Sequence, residues 1–297
     1  DPGGRLRHFR SRGDGTFEDA GRASHLAVQH GGLNLLHVDY DNDGRPDIMV
    51  TRGGWQGSEG RWRRSLLHND GNGTFTDVTV RAGLADPAYP SQTGAWGDYD
   101  NDGDLDLYVG NEVSILGTTS LSSNGEPYPS QLFRNDGDGS FTDVAESAGV
   151  QNLRMAKGVA WGDYDDDGDQ DLYVSNIGPN RLYRNEGNGT FVDVAPQLAV
   201  TKPHGRSFAT WFWDYDNDGH LDIFVAGFHA DVSAVATFYM GQPVSGVVRS
   251  KLYRNRGGAA GFDEVSELVG LDGIYLPMGA NYGDIDNDGW LDIVLAT

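Results

Sequence analysis

A nine-residue acidic word, written five times, constrains this chain more than any other feature. It reads Asp39-Tyr40-Asp41-Asn42-Asp43-Gly44-Arg45-Pro46-Asp47 and returns from Asp98, Asp163, Asp214 and Asp284 as D-[YI]-D-x-D-G-x-x-D. Four carboxylates at positions 1, 3, 5 and 9 of one loop repel strongly unless a cation joins them. Calcium is the natural partner, because it accepts six to eight oxygen ligands in flexible geometry where magnesium demands a stricter octahedron. Glycine at position 6 permits the sharp turn around an ion, and by analogy with calcium loops in general the position-7 carbonyl completes the shell. The expected ligands are Asp39, Asp41, Asp43, Asp47 and the carbonyl of Arg45; Asp98, Asp100, Asp102, Asp106 and that of Asp104; and Asp163, Asp165, Asp167, Asp171 and that of Asp169. The last two loops supply Asp214, Asp216, Asp218, Asp222 and the carbonyl of His220, then Asp284, Asp286, Asp288, Asp292 and that of Trp290. About five Ca2+ ions per chain follow. An EF-hand would need a bidentate Glu at position 12, where this chain has Val50, Val109, Val174, Val225 and Leu295.

A second word accompanies the first. It is clearest at Leu132-Phe133-Arg134-Asn135-Asp136-Gly137-Asp138-Gly139-Ser140-Phe141-Thr142-Asp143-Val144, and its relatives carry their anchoring aromatic at Phe17, Phe75, Phe191 and Phe262. From each anchoring Phe to the next first Asp the distance is 22, 23, 22, 23 and 22 residues, which predicts a fixed structural element. From each first Asp to the next Phe it is 36, 43, 28 and 48 residues, which predicts loops of variable length. Apolar segments flank each acidic loop, such as Val159-Ala160-Trp161 before and Leu172-Tyr173-Val174 after, so each first word reads as a hairpin whose strands are covered on both faces. The second word reads as a hairpin around a Gly-rich turn. Pieces such as Asp77 to Leu84, with a capping Asp and a late Gly, suffice for about one helical turn, and long helices are not expected. Four short strands in each unit of roughly 50 to 70 residues predict an all-β fold, a β-propeller of four-stranded antiparallel blades. The nine-residue period of a calcium-binding β-helix is absent.

Composition narrows the function. With 44 acidic and 22 basic residues the formal net charge is −22, which opposes nucleic-acid binding, a process driven by basic charge. The five loops hold twenty of the acidic residues and leave 24 against 22 basic ones, so nearly all the excess charge is presumed ligand. Five calcium ions would bring the total to −12. There is no Cys, hence no disulfide or zinc–thiolate site, and no apolar run approaches the roughly 18 residues of a membrane span. The chain stops on the apolar run Ile293-Val294-Leu295, which reads as a piece of something longer.

The words D-Y-D-N-D-G-x-x-D-[IL]-x-V and L-[FY]-R-N-x-G-x-G-[TS]-F-x-D-V resemble the FG-GAP, or VCBS, repeats of integrin-α-type propellers. Taken together they are most similar to the propeller part of the cartilage acidic protein and UnbV-type secreted family. The resemblance spans nearly the whole chain, residues 1 to 297 as one propeller domain or fragment. It implies a calcium-loaded propeller outside the cytoplasm, secreted, periplasmic or on the cell surface, used for adhesion, assembly or ligand display. There are departures. Ser11 stands where the second word has Asn, Arg256 to Gly261 is an altered turn, and Pro46 and Gln170 replace an apolar residue at loop position 8. The family's propellers commonly have seven blades and this chain has five units, so a closed five-blade ring and part of a larger ring both fit, the second being preferred. The terminal hairpins would pair into one composite blade in the closed case.

Arg12-Gly13-Asp14 is an RGD tripeptide at a turn position, and Asn72 and Asn188 begin sequons inside the same turn word. Turn chemistry accounts for both. The eight His are scattered, only Lys157, Lys202 and Lys251 are Lys, and no H-E-x-x-H, G-x-S-x-G or P-loop is present. The expectation is therefore a noncatalytic protein whose variable loops bind a protein or polysaccharide partner. Two inserts are candidates for those contacts: Trp55, Arg61, Trp62, Arg63 and Arg64, and Phe228, His229, Phe238, Tyr239 and Met240. A carbohydrate-active lyase or hydrolase on a calcium-stabilised propeller is one alternative, and a structural subunit of an envelope complex is another.

Overall fold

The computed structural model describes residues 4–112, 128–228 and 231–296. The fold is all-β, built as antiparallel propeller blades, and the chain divides into two compact units: Asp1–Asp98 with Asp102–Val144, and Tyr99–Asn101 with Ala145–Thr297.

The first unit opens with a hairpin, β1 (Phe9–Ser11) and β2 (Phe17–Asp19). Two blades follow: β3 (Asn34–Val38), β4 (Asp47–Thr51), β5 (Ser65–Asn69) and β6 (Phe75–Asp77), then β7 (Ser91–Gly97), β8 (Asp106–Asn111), β9 (Gln131–Asn135) and β10 (Phe141–Asp143). The second unit holds β11 (Met155–Gly162), β12 (Asp171–Ile177), β13 (Arg181–Asn185) and β14 (Phe191–Asp193), then β15 (Arg206–Trp213), β16 (Asp222–Phe228), β17 (Lys251–Asn255) and β18 (Phe262–Glu264), and a hairpin of β19 (Gly279–Gly283) and β20 (Asp292–Ala296). Ile177 and Arg206 join the sheets of these two blades as a strand pair, and the blades also pack face to face, with Ser175 Oγ donating to Phe208 O and the Tyr173 ring edge-on to Phe212. Each blade is therefore the hairpin of a first word followed by the hairpin of a second, with the acidic loop joining its first two strands.

The second strand of each blade carries the burial that its apolar runs require: Val50, Val109, Val174 and Val225 have no accessible surface. These are the position-12 residues, so that position belongs to the core. One cluster in the first unit joins Tyr40, Met49, Leu66, Leu107, Val109, Phe133 and Phe141, and one in the second joins Tyr173, Leu182, Val225, Tyr253 and Phe262. The terminal hairpins differ. Phe9, Phe17 and Val294 are exposed, because two strands alone cannot cover both faces.

The constant spacing from Phe to Asp has a structural cause. After each outer strand the chain makes one helical turn closed by a residue in the left-handed region: Gly83, Gly149 and Gly270 at φ of 76°, 78° and 79°. The next N–H bonds five residues back, as in Leu84 to Thr79 and Val150 to Ala145, the pattern of a helix C-terminal cap. The turn is then locked to the following outer strand, since the N–H of Phe141 donates to Ala82 O and that of Phe191 to Ala148 O. Blade three places Ala199 at φ 59° where the other three have Gly. Its Cβ strains that conformation, so Ala199→Gly is expected to stabilise the protein by about 1 kcal/mol, read as a higher denaturation midpoint with unchanged slope.

One element was not legible as such. Val232–Tyr239 in the longest insert is an α-helix, α1, capped by Asp231, whose Oδ1 accepts from the N–H groups of Ser233 and Ala234. The departures in the second word prove conservative in geometry. Ser11 Oγ accepts from Gly13 N–H as the Asn Oδ1 does elsewhere, and the altered turn still pairs Asn255 with Phe262. Asp14 of the RGD tripeptide is held within its own turn, accepting from the N–H and hydroxyl of Thr16.

Candidate metal centres

Each acidic loop is shaped by its own carboxylates. At position 1, Asp39, Asp98, Asp163, Asp214 and Asp284 all accept from the backbone N–H groups of positions 5 and 6, at 2.8 to 3.1 Å. At position 5, Asp43, Asp102, Asp167, Asp218 and Asp288 accept from the position-7 N–H. The position-6 glycines sit at φ between 83° and 93°, conformations only Gly adopts without strain. Loop position 4 is left-handed too, which favours Asn. It is Asn42, Asn101, Asn217 and Asn287, with Asp166 in the third loop.

Position 9 anchors the loop to the blade. Asp47, Asp106, Asp171 and Asp222 are completely buried, and each accepts from the N–H of the second-word Asn: Asn69, Asn135, Asn185 and Asn255, at 2.7 to 2.8 Å. The other oxygen of Asp47, Asp171, Asp222 and Asp292 accepts from the position-2 N–H. Burial outweighs these bonds and pushes the carboxyls up, Asp47 to about 6, Asp222 to about 7 and Asp171 to about 8. Asp292, by contrast, lies exposed in the terminal hairpin.

The loops bring their carboxylates together. Oxygens of Asp39, Asp41 and Asp43 lie within 4.8 Å of one another, as do those of Asp163, Asp165 and Asp167 and those of Asp214, Asp216 and Asp218. Asp98 and Asp106 approach within the same distance. Asp100 falls among the three residues grouped with the second unit. Asp286 and Asp288 are exposed. The position-7 side chains turn elsewhere: Asp104 accepts from Asn42 Nδ2 at 2.8 Å, Asp169 from Asn101 Nδ2 at 2.7 Å, and His220 Nδ1 lies 2.8 Å from Asp166 Oδ2. Position 4 of one loop thus holds position 7 of the next in these three cases, whereas Arg45, at position 7 of the first loop, pairs with Asp43 of its own cluster and donates from Nε to Asn69 O at 2.9 Å.

The decisive test of fit to a cation is an unmet acceptor. Asp165 Oδ1 and Asp216 Oδ1, both at position 3, are buried and without any hydrogen-bond partner. A buried carboxylate oxygen left alone is costly, and beside two further carboxylates a cation would satisfy it. The pKa of Asp165 is raised by burial and then by Asp167 and Asp163, as expected for crowded like charges. In the fourth loop Arg254 covers part of the mouth, its Nε 2.8 Å from Asp216 Oδ2. The residues present fit an all-oxygen divalent cation.

Sequence reasoning missed how the two words interlock. The second-word Asn reaches back to the acidic loop of the preceding blade: Asn135 Nδ2 donates to Tyr40 O, Asn185 Nδ2 to Tyr99 O and Asn255 Nδ2 to Tyr164 O. The anchoring Phe packs on the same position-2 Tyr, with ring centroids 5.6 to 5.9 Å apart in Tyr40–Phe141, Tyr99–Phe191 and Tyr164–Phe262. Asn also takes the carbonyl of its own position 8, which explains why Pro46 and Gln170 are tolerated there, since only their backbone is used. The signal was the recurrence of Asn beside every buried Asp. Asn255→Ala strands the buried carbonyl of Tyr164 and the partly buried one of Leu221 and is expected to cost about 3 kcal/mol, measured as a lower denaturation midpoint.

The two inserts fare differently. Arg64 is only 2% exposed, lies over the Phe133 ring at 4.8 Å and donates to Gln131 Oε1, so it is a core residue and not the surface contact expected. Arg61, Trp62 and Arg63 are exposed, as are Trp55, Tyr239 and Met240. Phe228 and Phe238 are partly buried, and Phe238 lies under the Arg249 guanidinium. His229 lies outside the described residues. No helix is long and apolar enough to cross a membrane among the described residues.

Fold and loops together define a repeat-built β-propeller whose blades each present a carboxylate-rich loop. The chain belongs to the FG-GAP-like repeat family, whose profile matches residues 1–50, 39–109, 119–174 and 163–225. It is similar to cartilage acidic protein 1 of Homo sapiens, 31% identical over 177 residues that make up 57% of this chain and 24% of the relative. The Xenopus tropicalis protein of the same name is 30% identical over 179 residues, with the same shares. The chain thus spans about a quarter of the length of these curated relatives. Among solved structures, an Agrocybe aegerita lectin described as recognising non-reducing terminal N-acetylglucosamine superposes with a TM-score of 0.52 at 16% identity, over 98% of this chain and 68% of the lectin. That likeness concerns the fold.

Proposed function

We propose that this chain is a noncatalytic, extracytoplasmic β-propeller that binds calcium in its acidic loops and uses its variable loops for protein interaction, adhesion or assembly. The observation that carries the reading is the pair of buried, partnerless oxygens of Asp165 and Asp216, each within a cluster of loop carboxylates. The ions would be held by Asp at positions 1, 3, 5 and 9 with the position-7 carbonyl, five per chain in one propeller domain or fragment over residues 1 to 297. Calcium supplies charge neutralisation and a rigid oxygen cage. Everything else in the loop, from the Gly turn to the second-word Asn, serves to hold the oxygens in place. Extracellular calcium levels suit such sites, which supports a location outside the cytoplasm.

The repeated residues are committed to metal and to blade packing, which leaves the inserts for recognition. Exposed Trp55, Arg61, Trp62 and Arg63 form an aromatic and basic group on a chain of net charge −22. Trp and Arg are enriched in interface hot spots. The test is capture of partners by immobilised calcium-loaded protein. Retained partners are expected to be lost on chelation and weakened by at least about tenfold in Arg61→Glu/Arg63→Glu, the loss of roughly one hot-spot contact. Binding that survives both that variant and removal of the 228 to 240 loop would show that the inserts are ordinary blade loops. Cleavage of an acidic polysaccharide by the calcium-loaded chain would instead favour the carbohydrate-active alternative.

A further inference from the structure

The first acidic loop is chemically unlike the others. In the second-word strands of the other blades, the residue before Asn is Arg134, Arg184 or Arg254, pairing in register with Thr142, Val192 and Asp263. In the first blade the same register position, opposite Thr76, is His68. Its Nδ1 is 3.3 Å from Asp41 Oδ2 and 3.3 Å from Asp47 Oδ1. The atom is buried and yet makes no hydrogen bond to either, so it is close to both carboxylates and aligned with neither. Asp41, Asp47 and His68 offer three donor atoms within 4.8 Å of one another. The Tyr40 ring stands edge-on to the imidazole at 6.2 Å, and Asp47 is fixed from behind by Asn69 N–H.

We propose that His68 Nδ1 is a metal ligand and that the first loop is a mixed nitrogen–oxygen site, which takes a first-row transition cation such as zinc in preference to calcium. The inference rests on the reading of the acidic loops as divalent-cation sites and adds a specificity to one of them. Imidazole suits zinc and its neighbours in the series, whereas all-oxygen sets suit calcium. A guanidinium reaches both loops, Arg254 on Asp216 in the fourth and Arg45 on Asp43 in the first, so the feature that sets the first loop apart is the imidazole nitrogen of His68 beside Asp41 and Asp47. His220, at position 7 of the fourth loop, has its Nδ1 2.8 Å from Asp166 and is thereby engaged with a neighbouring loop.

Zinc titration calorimetry at saturating calcium, with cobalt(II) as a paramagnetic probe in NMR, tests this on the whole chain. Wild-type protein should take up one zinc that calcium does not block, and cobalt should give hyperfine-shifted imidazole resonances. His68→Arg, which restores the residue of the other blades, and His68→Gln should each weaken that zinc by at least about tenfold and abolish the shifted resonances. His37→Gln, at an exposed histidine on β3, should leave both intact. Equal zinc affinity in all four proteins, or unshifted imidazole resonances, overturns the proposal. A calcium-dependent rise in melting temperature that persists in both His68 variants separates that failure from failure of the calcium reading. A chain that lacks the calcium response but loses its shifted resonances in His68→Arg overturns the calcium reading and retains the histidine ligand.

Discussion

Chelator-stripped protein should gain roughly 7 kcal/mol of stability when free calcium reaches about ten times its dissociation constant at five independent loops. Each site contributes RT ln 11, about 1.4 kcal/mol, because the ion binds the folded state alone. That is comparable to the whole stability of an ordinary domain, about 5 to 15 kcal/mol. At about 2 °C per kcal/mol for a chain of this size, the melting temperature should rise by about 15 °C. Magnesium should achieve a small part of this, since a loop built to wrap an ion with carboxylates and a carbonyl does not leave it the waters it keeps. The measurement is a calcium and magnesium titration followed by thermal melts, with bound metal counted at saturation. No calcium-selective rise would mean that the clustered carboxylates tolerate one another through protonation alone.

The loop geometry behind that expectation is legible in the sequence because the spacing of the Asp residues is strictly local. Asp at 1, 3, 5 and 9 with Gly at 6 dictates a turn whatever surrounds it, and the structure folds each loop with the same backbone bonds. The blade order was legible for a related reason, since apolar runs such as Leu107-Tyr108-Val109 can be covered on both faces only inside a sheet stack. What was not legible are the links between distant repeats. Nothing in the spacing says that Asn135 bonds Tyr40, 95 residues away, or that Phe141 packs on the same Tyr. Arg64 was misplaced because its charge argued for solvent, while an aromatic ring and a buried amide supplied an alternative. Helix α1 was hidden because its exposed apolar residues Val232 and Tyr239 follow no stripe that a sheet would bury. The unequal role of the first loop was equally hidden, since His68 lies outside the acidic word and reaches it only through strand pairing.

Metal-free protein should lose stability as pH rises from 5 to 8, the opposite of what its acidic composition suggests. In the unfolded chain Asp titrates near 3.9, whereas burial holds Asp47 at about 6, Asp222 at about 7 and Asp171 at about 8 in the fold. Between these limits the native state binds more protons than the unfolded one, so the unfolding free energy falls with increasing pH. The stability is fully present below about pH 4 and is lost progressively up to about pH 8. His220, whose pKa is raised first by its hydrogen bond to Asp166, acts in the same direction. The trend should therefore persist in His220→Gln, where only the buried carboxyls remain. Its size should be on the order of several kcal/mol, a fall of about 10 °C in melting temperature. Calcium reverses the sign, because a bound divalent charge favours the ionised carboxylates and protons must be expelled for it to bind. The calcium-dependent increment in melting temperature should thus grow from pH 5 to 8 while the metal-free baseline falls. Melts in metal-free and calcium-saturated buffer at four pH values read both slopes. Parallel slopes would show that the buried Asp residues at position 9 are not linked to the ion, and that the loops bind it through their outer carboxylates alone.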